Sequence, residues 1–400
     1  MTNYIIIALC IIVLLAYLFD VTSKYSKIPG VILLISLGIG IQLLVNTTGF
    51  SIPNMQPILP VLGTLGLILI VLEAGLDIKL EKRKIRLVLK SVFSGISLFA
   101  VFTVILSYIL IKVYGFPVKE SILNAIPLGI ISSAVAISST THMNSDQKEF
   151  IIYESSISDI VGILAFGFIM NNFDSIAYGL FSFMINGLIT AVFAIAFTIG
   201  LGYLLHTIKY HVNYVIIMTS VVLVYVLAGL FHLPALILVL VFGLALSNYK
   251  LFEPTILNKF VDFEKFRTDV DSFQKILTEL TFIVRSFFFI MFGYYTKVSN
   301  LFNIDNIIFA LVIVLGIFLL RWLFFSLVLK MKNLSLILFA PRGLITILLF
   351  LSIPVVSRIS VINEEIITLV ILMTLLIMML GNFFTASSKD QPKQEVRYEV

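Results

Sequence analysis

The sequence predicts an all-α polytopic membrane protein with about thirteen transmembrane helices. Hydrophobic residues make up 60% of the 400 residues and charged residues only 12%. The mean hydropathy is +1.11, whereas about a quarter of the residues of a soluble domain are charged. The apolar runs that are long enough to cross a bilayer cover residues 4–19, 28–46, 58–76, 87–113, 120–141, 149–171, 178–205, 212–231, 233–248, 273–298, 303–330, 333–355 and 364–385.

The basic residues of the loops support this count and predict an orientation. Only Lys112, Lys119, Lys297 and Arg358 fall in the even-numbered loops, while the odd-numbered loops and the C-terminal tail carry eighteen Lys and Arg residues. Because Lys and Arg collect on the cytoplasmic side of a membrane protein, the N-terminus is expected outside and the C-terminus inside. We therefore expect a multi-pass protein of the cell (inner) membrane with residues 386–400 as a short cytoplasmic tail.

The composition argues against several other classes. The net charge of +5 is spread over the loops, where it indicates membrane orientation rather than nucleic-acid binding. Cys10 is the single cysteine and the four histidines are scattered, so neither a disulfide nor a Cys or His metal site is expected. No span carries a His-Glu, Ser-His or metal-ligand cluster, so we expect neither an enzyme nor a cofactor.

The sixth predicted span places polar residues in an otherwise apolar run. Glu154, Ser155, Ser158 and Asp159 all lie within IIYESSISDIVGILAFGFIM. Helical spacing puts Glu154 with Ser158, and Ser155 with Asp159, one turn apart on shared faces. Asp159 is expected about 15 Å inside the helix, near the bilayer midplane. An ionisable residue at that depth usually marks an ion or proton pathway.

Two other spans contain helix-breaking residues. The fifth, IPLGIISSAVAISSTT, joins Pro127 and Gly129 to a serine-rich run, and the twelfth, ILFAPRGLITILLF, places Pro341 and Gly343 at its centre. Broken helices are tolerated in a membrane only where they are buried or line a cavity, and paired breaks indicate a transporter site. Spans four to six and eleven to thirteen therefore predict an inverted repeat with two broken crossing helices.

The sequence contains further charges at membrane depth. An unpaired arginine there costs at least ~2.5 kcal/mol, so Arg342 is expected to form an ion pair, with Glu154 as the first choice of partner. Arg285 is expected either to serve the same cavity or to act as a structural clamp. Glu73, near the end of the third span, fits an interfacial anchor as well as an ion ligand.

Four motifs occur in order at these spans: LEAGLDI in the third, the serine-rich break in the fifth, ESSISD in the sixth and PRGLITILL in the twelfth. Together they resemble the monovalent cation:proton antiporter superfamily, the sodium/proton exchanger family, over about residues 1–385. The resemblance implies a homodimer with interface helices from about 1–76 and 212–298. It also implies a linker helix at about 178–205 and core helices at about 87–171 and 303–385, which would carry the ion by an elevator motion.

The resemblance also assigns roles to single residues. The family's essential aspartate falls on Asp159. Its glutamate, which pairs with an arginine of the broken twelfth span, falls on Glu154 with Arg342. Ser155 and Glu73 match positions that can help to hold the ion.

Two departures from the family pattern concern the site. Ser158 stands where the family usually has Asn or Asp, and the family's Thr-Asp-Pro reads Ser132, Ser133, Ala134 here. With one central acid left, one-for-one electroneutral exchange is the expected stoichiometry. The expected ion- and proton-binding residues are Asp159, Ser155, Glu73, Ser158, Ser132 and Ser133.

The expected function is exchange of a monovalent cation for H⁺, with Asp159 as the shared carrier. Na⁺ is the first choice of cation and K⁺ the second, held by Asp159 and Ser155, because serine hydroxyls and freed carbonyls supply the hard oxygens that alkali ions prefer. Asp159 neutralised by either ion crosses the membrane, and the empty anion does not. Two alternatives stay open at this point: a proton-independent cation channel or efflux system, and a transport-inactive relative that acts as a sensor or binding subunit.

Overall fold

A computed structural model describes residues 2–26, 28–48, 58–77, 85–140, 143–172, 213–230, 235–248, 263–331 and 333–387, together with part of 185–200. The secondary structure of these residues is helical, without a strand. The helices are α1 (Thr2–Ser26), α2 (Gly30–Thr48), α3 (Ile58–Asp77), α4 (Ile85–Tyr114), α5 (Val118–Gly129), α6 (Ser133–Ser139), α7 (Ser145–Asn172), α8 (Asn213–Leu230), α9 (Ala235–Ser247), α10 (Phe263–Tyr295), α11 (Val298–Leu301), α12 (Ile304–Leu323), α13 (Leu334–Leu338), α14 (Leu344–Ser352) and α15 (Glu364–Ser387).

Seven segments of the described residues are long and apolar enough to cross a membrane: Gly30–Thr48, Arg86–Tyr114, Val118–Ala136, Ser145–Met170, Thr268–Tyr295, Ile304–Val328 and Glu364–Gly381. The all-helical membrane class is therefore confirmed. Most of the predicted seventh span, 178–205, and of the tail, 386–400, lies outside the described residues. The count of thirteen stays a prediction.

Both predicted interruptions are present. The chain leaves helical geometry between α5 and α6 at residues 130–132, and between α13 and α14 at residues 339–343. Pro127 remains inside α5, and the break follows one turn later. A short π-helical turn, Phe324–Val328, follows α12.

The helices pack as two groups. We call α1, α2, α3, α8, α9 and α10 the α3 group, because α3 packs against α8, α9 and α10, and α2 packs against α1 and α10. We call α4 to α7 and α11 to α15 the α7 group, in which α7 packs against α4, α5 and α6, and α12 packs against α15. The two groups meet where α3 contacts α14, α1 contacts α6 and α9 contacts α7, close to both interrupted helices.

Glycines bring the helices of the α3 group into close contact. A Cβ atom on Gly38 of α2 would lie 2.1 Å from the carbonyl oxygen of Ile290 on α10, and one on Gly293 would lie 2.3 Å from the carbonyl oxygen of Ile35. Small residues at such crossings let two backbones approach and gain van der Waals contact, which drives helix association in a bilayer. The α2–α10 crossing therefore depends on Gly38 and Gly293.

We expect Gly38→Ala to destabilise the protein by about 1–3 kcal/mol, because its added methyl group overlaps a backbone atom that cannot rotate away. Gly40→Ala on the same helix is the matched control, since a Cβ there meets nothing within 4 Å. Thermal unfolding in detergent should give a lower Tm for Gly38→Ala only. Equal Tm values for the two variants would contradict the crossing.

Candidate functional site

The two broken helices meet at their interruptions. The backbone N–H of Ser132 donates a 2.9 Å hydrogen bond to the carbonyl oxygen of Pro341. Gly343 allows this approach, because a Cβ there would lie 2.5 Å from the Ser132 hydroxyl oxygen. The breaks therefore form one crossing point, in which irregular backbone is buried in protein as the bilayer requires.

The adjacent helix α7 supplies acceptors for the backbone that the first break exposes. The N–H of Ile131 donates to Ser158 Oγ at 3.0 Å, and the N–H of Ser133 donates to Asp159 Oδ2 at 2.9 Å. The Ser133 side chain also hydrogen-bonds to the Asp159 carboxylate. Since Ser133 begins α6, the negative carboxylate faces the positive end of that helix.

Asp159 keeps one oxygen without a partner. Its side chain is 3% exposed, and Oδ1 has no hydrogen-bond partner among the described residues. The buried hydroxyl oxygen of Ser132 likewise has none within that part of the chain. A buried polar atom without a partner costs about 1–3 kcal/mol. These oxygens are therefore the natural place for a proton or a small cation.

Arg342 lies in the second break and donates hydrogen bonds to backbone carbonyl oxygens in the last turn of α5. Its Nε donates to the carbonyl oxygen of Leu128 at 2.8 Å, its Nη1 to that of Ala340 at 2.9 Å, and its Nη2 reaches that of Gly129 at 3.5 Å. The last carbonyls of a helix lack intrahelical partners and carry its partial negative charge. The buried guanidinium therefore finds its compensation in backbone oxygens.

Glu154 forms a buried ion pair with Arg321 of α12. Arg321 Nη2 lies 2.6 Å from Glu154 Oε2, and Nη1 donates to Oε1 at 2.9 Å. Ser94 of α4 adds a hydrogen bond of 2.5 Å to Oε1. Arg321 Nε donates to the carbonyl oxygen of Leu336 at 2.9 Å, so the pair joins α4, α7, α12 and α13.

The predicted ion pair between Glu154 and Arg342 is therefore wrong. Depth in the membrane and the family resemblance both selected Arg342, but its guanidinium is directed to the end of α5. Arg321 instead binds the Glu154 carboxylate with bidentate geometry. Arg321 lies inside the apolar run FLLRWLFF. The requirement that an arginine in a span has a partner was the signal that could have identified it.

Ser155, Arg285 and Glu73 are the remaining predicted site residues. Ser155 lies one turn before Asp159, and its hydroxyl donates to the carbonyl oxygen of Ile151 at 2.7 Å. Arg285 of α10 donates to the carbonyl oxygen of Ala134 at 3.3 Å, so it contacts α6. Glu73 is half-buried on α3, within electrostatic range of Arg285.

The arrangement offers oxygen ligands. Among the described residues, no three His, Cys, Asp or Glu side chains form a group that could hold a metal ion. Asp159 and the serine hydroxyls are hard ligands, which suit alkali cations and protons better than softer transition metals. The site is therefore chemically suited to reversible binding of a small cation.

The family assignment comes from the sequence as a whole. A family profile described as "Sodium/hydrogen exchanger, transmembrane" matches residues 10–386. The chain belongs to this family. The resemblance found in the sequence motifs is thereby confirmed, and the members of the sodium/hydrogen exchanger family are transporters rather than enzymes. No curated protein sequence matches the chain.

Two solved structures share the fold of this exchanger-family chain. A structure of the sodium proton antiporter MjNhaP1 from Methanocaldococcus jannaschii at pH 8 has a TM-score of 0.66 and 19% sequence identity, covering 96% of each chain. A second structure of MjNhaP1, from an electron-microscopy map, has a TM-score of 0.68 and 19% identity, covering 97% of this chain and 96% of that one. At this identity the likeness shows a common fold.

We expect Glu154→Gln to lower the free energy of unfolding by about 3–5 kcal/mol, because it leaves a buried guanidinium without a countercharge. Adding Arg321→Met should recover part of the loss. Glu364→Gln is the control: its carboxylate is 47% exposed and 3.9 Å from Arg358, so we expect a loss of about 1 kcal/mol or less. Denaturant unfolding in detergent measures all three, and equal losses for the two single variants would contradict the analysis.

Proposed function

We propose that this protein exchanges Na⁺ or K⁺ for H⁺ across the cell membrane, with Asp159 binding each ion in turn. The observation that carries the proposal is the position of Asp159 and the hydrogen bonding of its carboxylate. Asp159 is buried near the middle of α7, at the crossing of two broken helices, and one carboxylate oxygen has no partner in the described part of the chain. Family membership supports a transported cation and proton.

The mechanism follows from the cost of moving a charge through a region of low dielectric. An empty Asp159 carboxylate would have to cross as an anion, which is strongly unfavourable. A bound proton or cation removes that charge, so only the two loaded forms cross. Further oxygens for the cation would come from four serines. Ser155 and Ser158 lie near Asp159 on α7, and Ser132 and Ser133 lie at the first break. The cycle needs no cofactor.

Glu154 and Arg342 take fixed roles in this proposal. Glu154 accepts hydrogen bonds from two Arg321 nitrogens and from Ser94, so both of its oxygens are occupied. Arg342 is bound to backbone carbonyls. Among the described residues, Asp159 is then the carboxylate of the crossing that is free to exchange its ion. One H⁺ for one monovalent cation gives electroneutral transport.

We further propose that access alternates by an elevator motion, in which the α7 group moves relative to the α3 group. The helices α4 to α7 and α12 to α15 would be the two halves of an inverted repeat within thirteen spans, each with a broken middle crossing. Two copies would associate through the α3 group. The end that carries Lys297 and Arg358 would face outside, as the distribution of Lys and Arg over the loops suggests.

Two other functions remain as outcomes of the test. A cation channel would use the same buried acid but would pass current without moving protons. A transport-inactive relative would bind a cation at Asp159 and move nothing. Neither is favoured by a contact in the structure, and exchange measurements separate both from antiport.

We expect Asp159→Asn to abolish exchange, because an amide carries no charge for a proton or cation to neutralise. Asp146→Asn is the matched control on α7, since Asp146 is exposed in the first turn. The measurement is internal pH in proteoliposomes, read from a trapped dye after each alkali cation is added. Undiminished exchange by a folded Asp159→Asn protein would rule out Asp159 as the carrier.

We expect wild-type exchange to produce no net current. A sodium step on proteoliposomes adsorbed to a capacitive membrane should give no sustained charge movement, while the trapped dye reports proton movement in parallel. Current without a pH change would indicate a channel. Current together with a pH change would refute one-for-one stoichiometry.

A further inference from the structure

Three exposed basic side chains lie at one end of the α7 group, away from the crossing of the broken helices. Arg86 and Lys90 belong to the first two turns of α4, and Lys330 follows the π-helical turn that extends α12. Within the described part of the chain, no carboxylate forms an ion pair with any of the three. Their positive charge is therefore available to a ligand from outside the chain.

The helices that carry these residues run antiparallel and in contact. Tyr114, the last residue of α4, packs edge-on against Phe309 near the start of α12, with ring centroids 6.1 Å apart. Near the beginning of α4, Phe93 packs against Phe324 of the π-helical turn at 5.7 Å. The beginning of α4 and the segment after α12 therefore reach the same side of the membrane.

The contact between Phe93 and Phe324 also sets the depth of the cations. Arg86, Lys90 and Phe93 have i, i+4, i+7 spacing and share one face of α4. Arg86 lies about 10 Å beyond Phe93 along the helix axis, at about 1.5 Å per residue. By the same rise, Lys330 lies roughly 9 Å beyond Phe324. The cations therefore flank one groove at a similar depth, here called the Phe93 groove.

The acidic residues at this end of the α7 group lie on another side of α4. Asp146 and Glu149 belong to the start of α7. That helix packs on the face of α4 that carries Ser94 and Gly95, since Ser94 donates to Glu154 and a Cβ on Gly95 would lie 2.8 Å from the Glu154 carbonyl oxygen. At 100° per residue this face lies about 120° around the helix from the basic one.

Helix stability does not explain the positions of Arg86 and Lys90. A helix N-terminus carries partial positive charge, so basic residues there are unfavourable and acidic ones are preferred. The first turn of α4 nevertheless contains no acidic residue, and the sequence just before it, EKRK at 81–84, adds three more basic residues. An anion near this end would interact favourably with both the side chains and the helix.

The backbone of Lys330 is likewise in a conformation that favours another residue. Its φ angle is +52°, in the left-handed region where glycine is adopted without steric cost. Unfavourable backbone conformations persist where the side chain has a role. The cation is therefore retained at a position where glycine would end the helix with less strain.

We propose that the Phe93 groove binds the phosphate headgroup of an anionic phospholipid. Leu89, Phe93 and Leu327 are exposed beside the cations, so a lipid can place its acyl chains on them while its phosphate meets Arg86, Lys90 and Lys330. A soluble anion would gain only the second of these contacts. In the proposed orientation this end lies in the cytoplasmic leaflet, where anionic lipids attract clustered Lys and Arg.

A bound lipid would stabilise the frame of the buried ion pair. It would bridge α4 and the end of α12, which contribute Ser94 and Arg321 to the Glu154 carboxylate. Ligands that bind the folded state alone raise its stability in proportion to their occupancy. The lipid should therefore raise the Tm of the protein.

The test adds defined lipids to purified, delipidated protein in detergent. We expect phosphatidylglycerol, which is anionic, to raise the Tm by several degrees more than zwitterionic phosphatidylcholine, and native mass spectrometry to show retained phosphatidylglycerol. Arg86→Gln/Lys90→Gln/Lys330→Gln should lose both effects. A folded triple variant with the wild-type difference between the lipids would overturn the proposal.

Two controls separate this site from general attraction of charges. Lys112→Gln/Lys119→Gln/Lys297→Gln removes the same charge from the opposite membrane end and should keep the response to phosphatidylglycerol; loss of the response there too would contradict a local site. Inorganic phosphate is added in place of lipid. A Tm rise equal to that from phosphatidylglycerol would show a plain anion site and overturn a lipid ligand.

Lys330→Gly tests the groove even if the triple variant fails to fold. Glycine adopts the backbone conformation of this position freely, so the Tm without lipid should not fall. The loss of one cation should reduce the extra Tm rise from phosphatidylglycerol several-fold. An unchanged response to phosphatidylglycerol in this variant would remove Lys330 from the site.

Discussion

The structure depends on one constraint: backbone groups that two helix breaks expose must find partners inside the protein, because lipid offers none. At the first break three successive donors are satisfied by three different sources. Ile131 N–H binds Ser158, Ser132 N–H binds the second broken helix, and Ser133 N–H binds Asp159. The same hydrogen bonds therefore assemble the candidate site and satisfy the backbone groups that the breaks expose inside the membrane.

The two carboxylates of α7 show how partners decide a role. Glu154 and Asp159 are both buried and lie five residues apart. Glu154 receives two guanidinium donors and a hydroxyl, so a cation would have to displace a complete set of hydrogen bonds. Asp159 receives its donors from Ser133, and its other oxygen has no partner within the residues that the structure describes. The same chemical group is structural in the first case and available for an ion in the second.

The helical membrane class, the positions of both helix breaks and the family could all be predicted from the sequence. Hydropathy and helix-breaking residues are local properties of the sequence, so they can be read without knowing which helices pack together. The partner of Glu154 could not be predicted in this way. Depth in the membrane and the family resemblance both assigned Arg342 to Glu154, but the direction of a guanidinium depends on which carbonyl oxygens a break leaves free. Arg342 donates to the carbonyl oxygen of Leu128, and Arg321 binds the Glu154 carboxylate.

Polar contacts are distributed unequally between the helix groups, and this distribution bears on the proposed elevator motion. The Glu154–Arg321 pair, the contacts of Arg342 with α5 and the contact of Asp159 with α6 all lie within the α7 group. Across the boundary with the α3 group, Gly63 and Gly66 of α3 meet Leu348 and Leu344 of α14, and Arg285 adds a longer hydrogen bond of 3.3 Å to Ala134. Breaking a buried ion pair costs several kcal/mol, whereas sliding an apolar contact costs far less. The distribution of polar contacts therefore supports the proposed elevator motion, in which the α7 group moves as a body with its charged network intact.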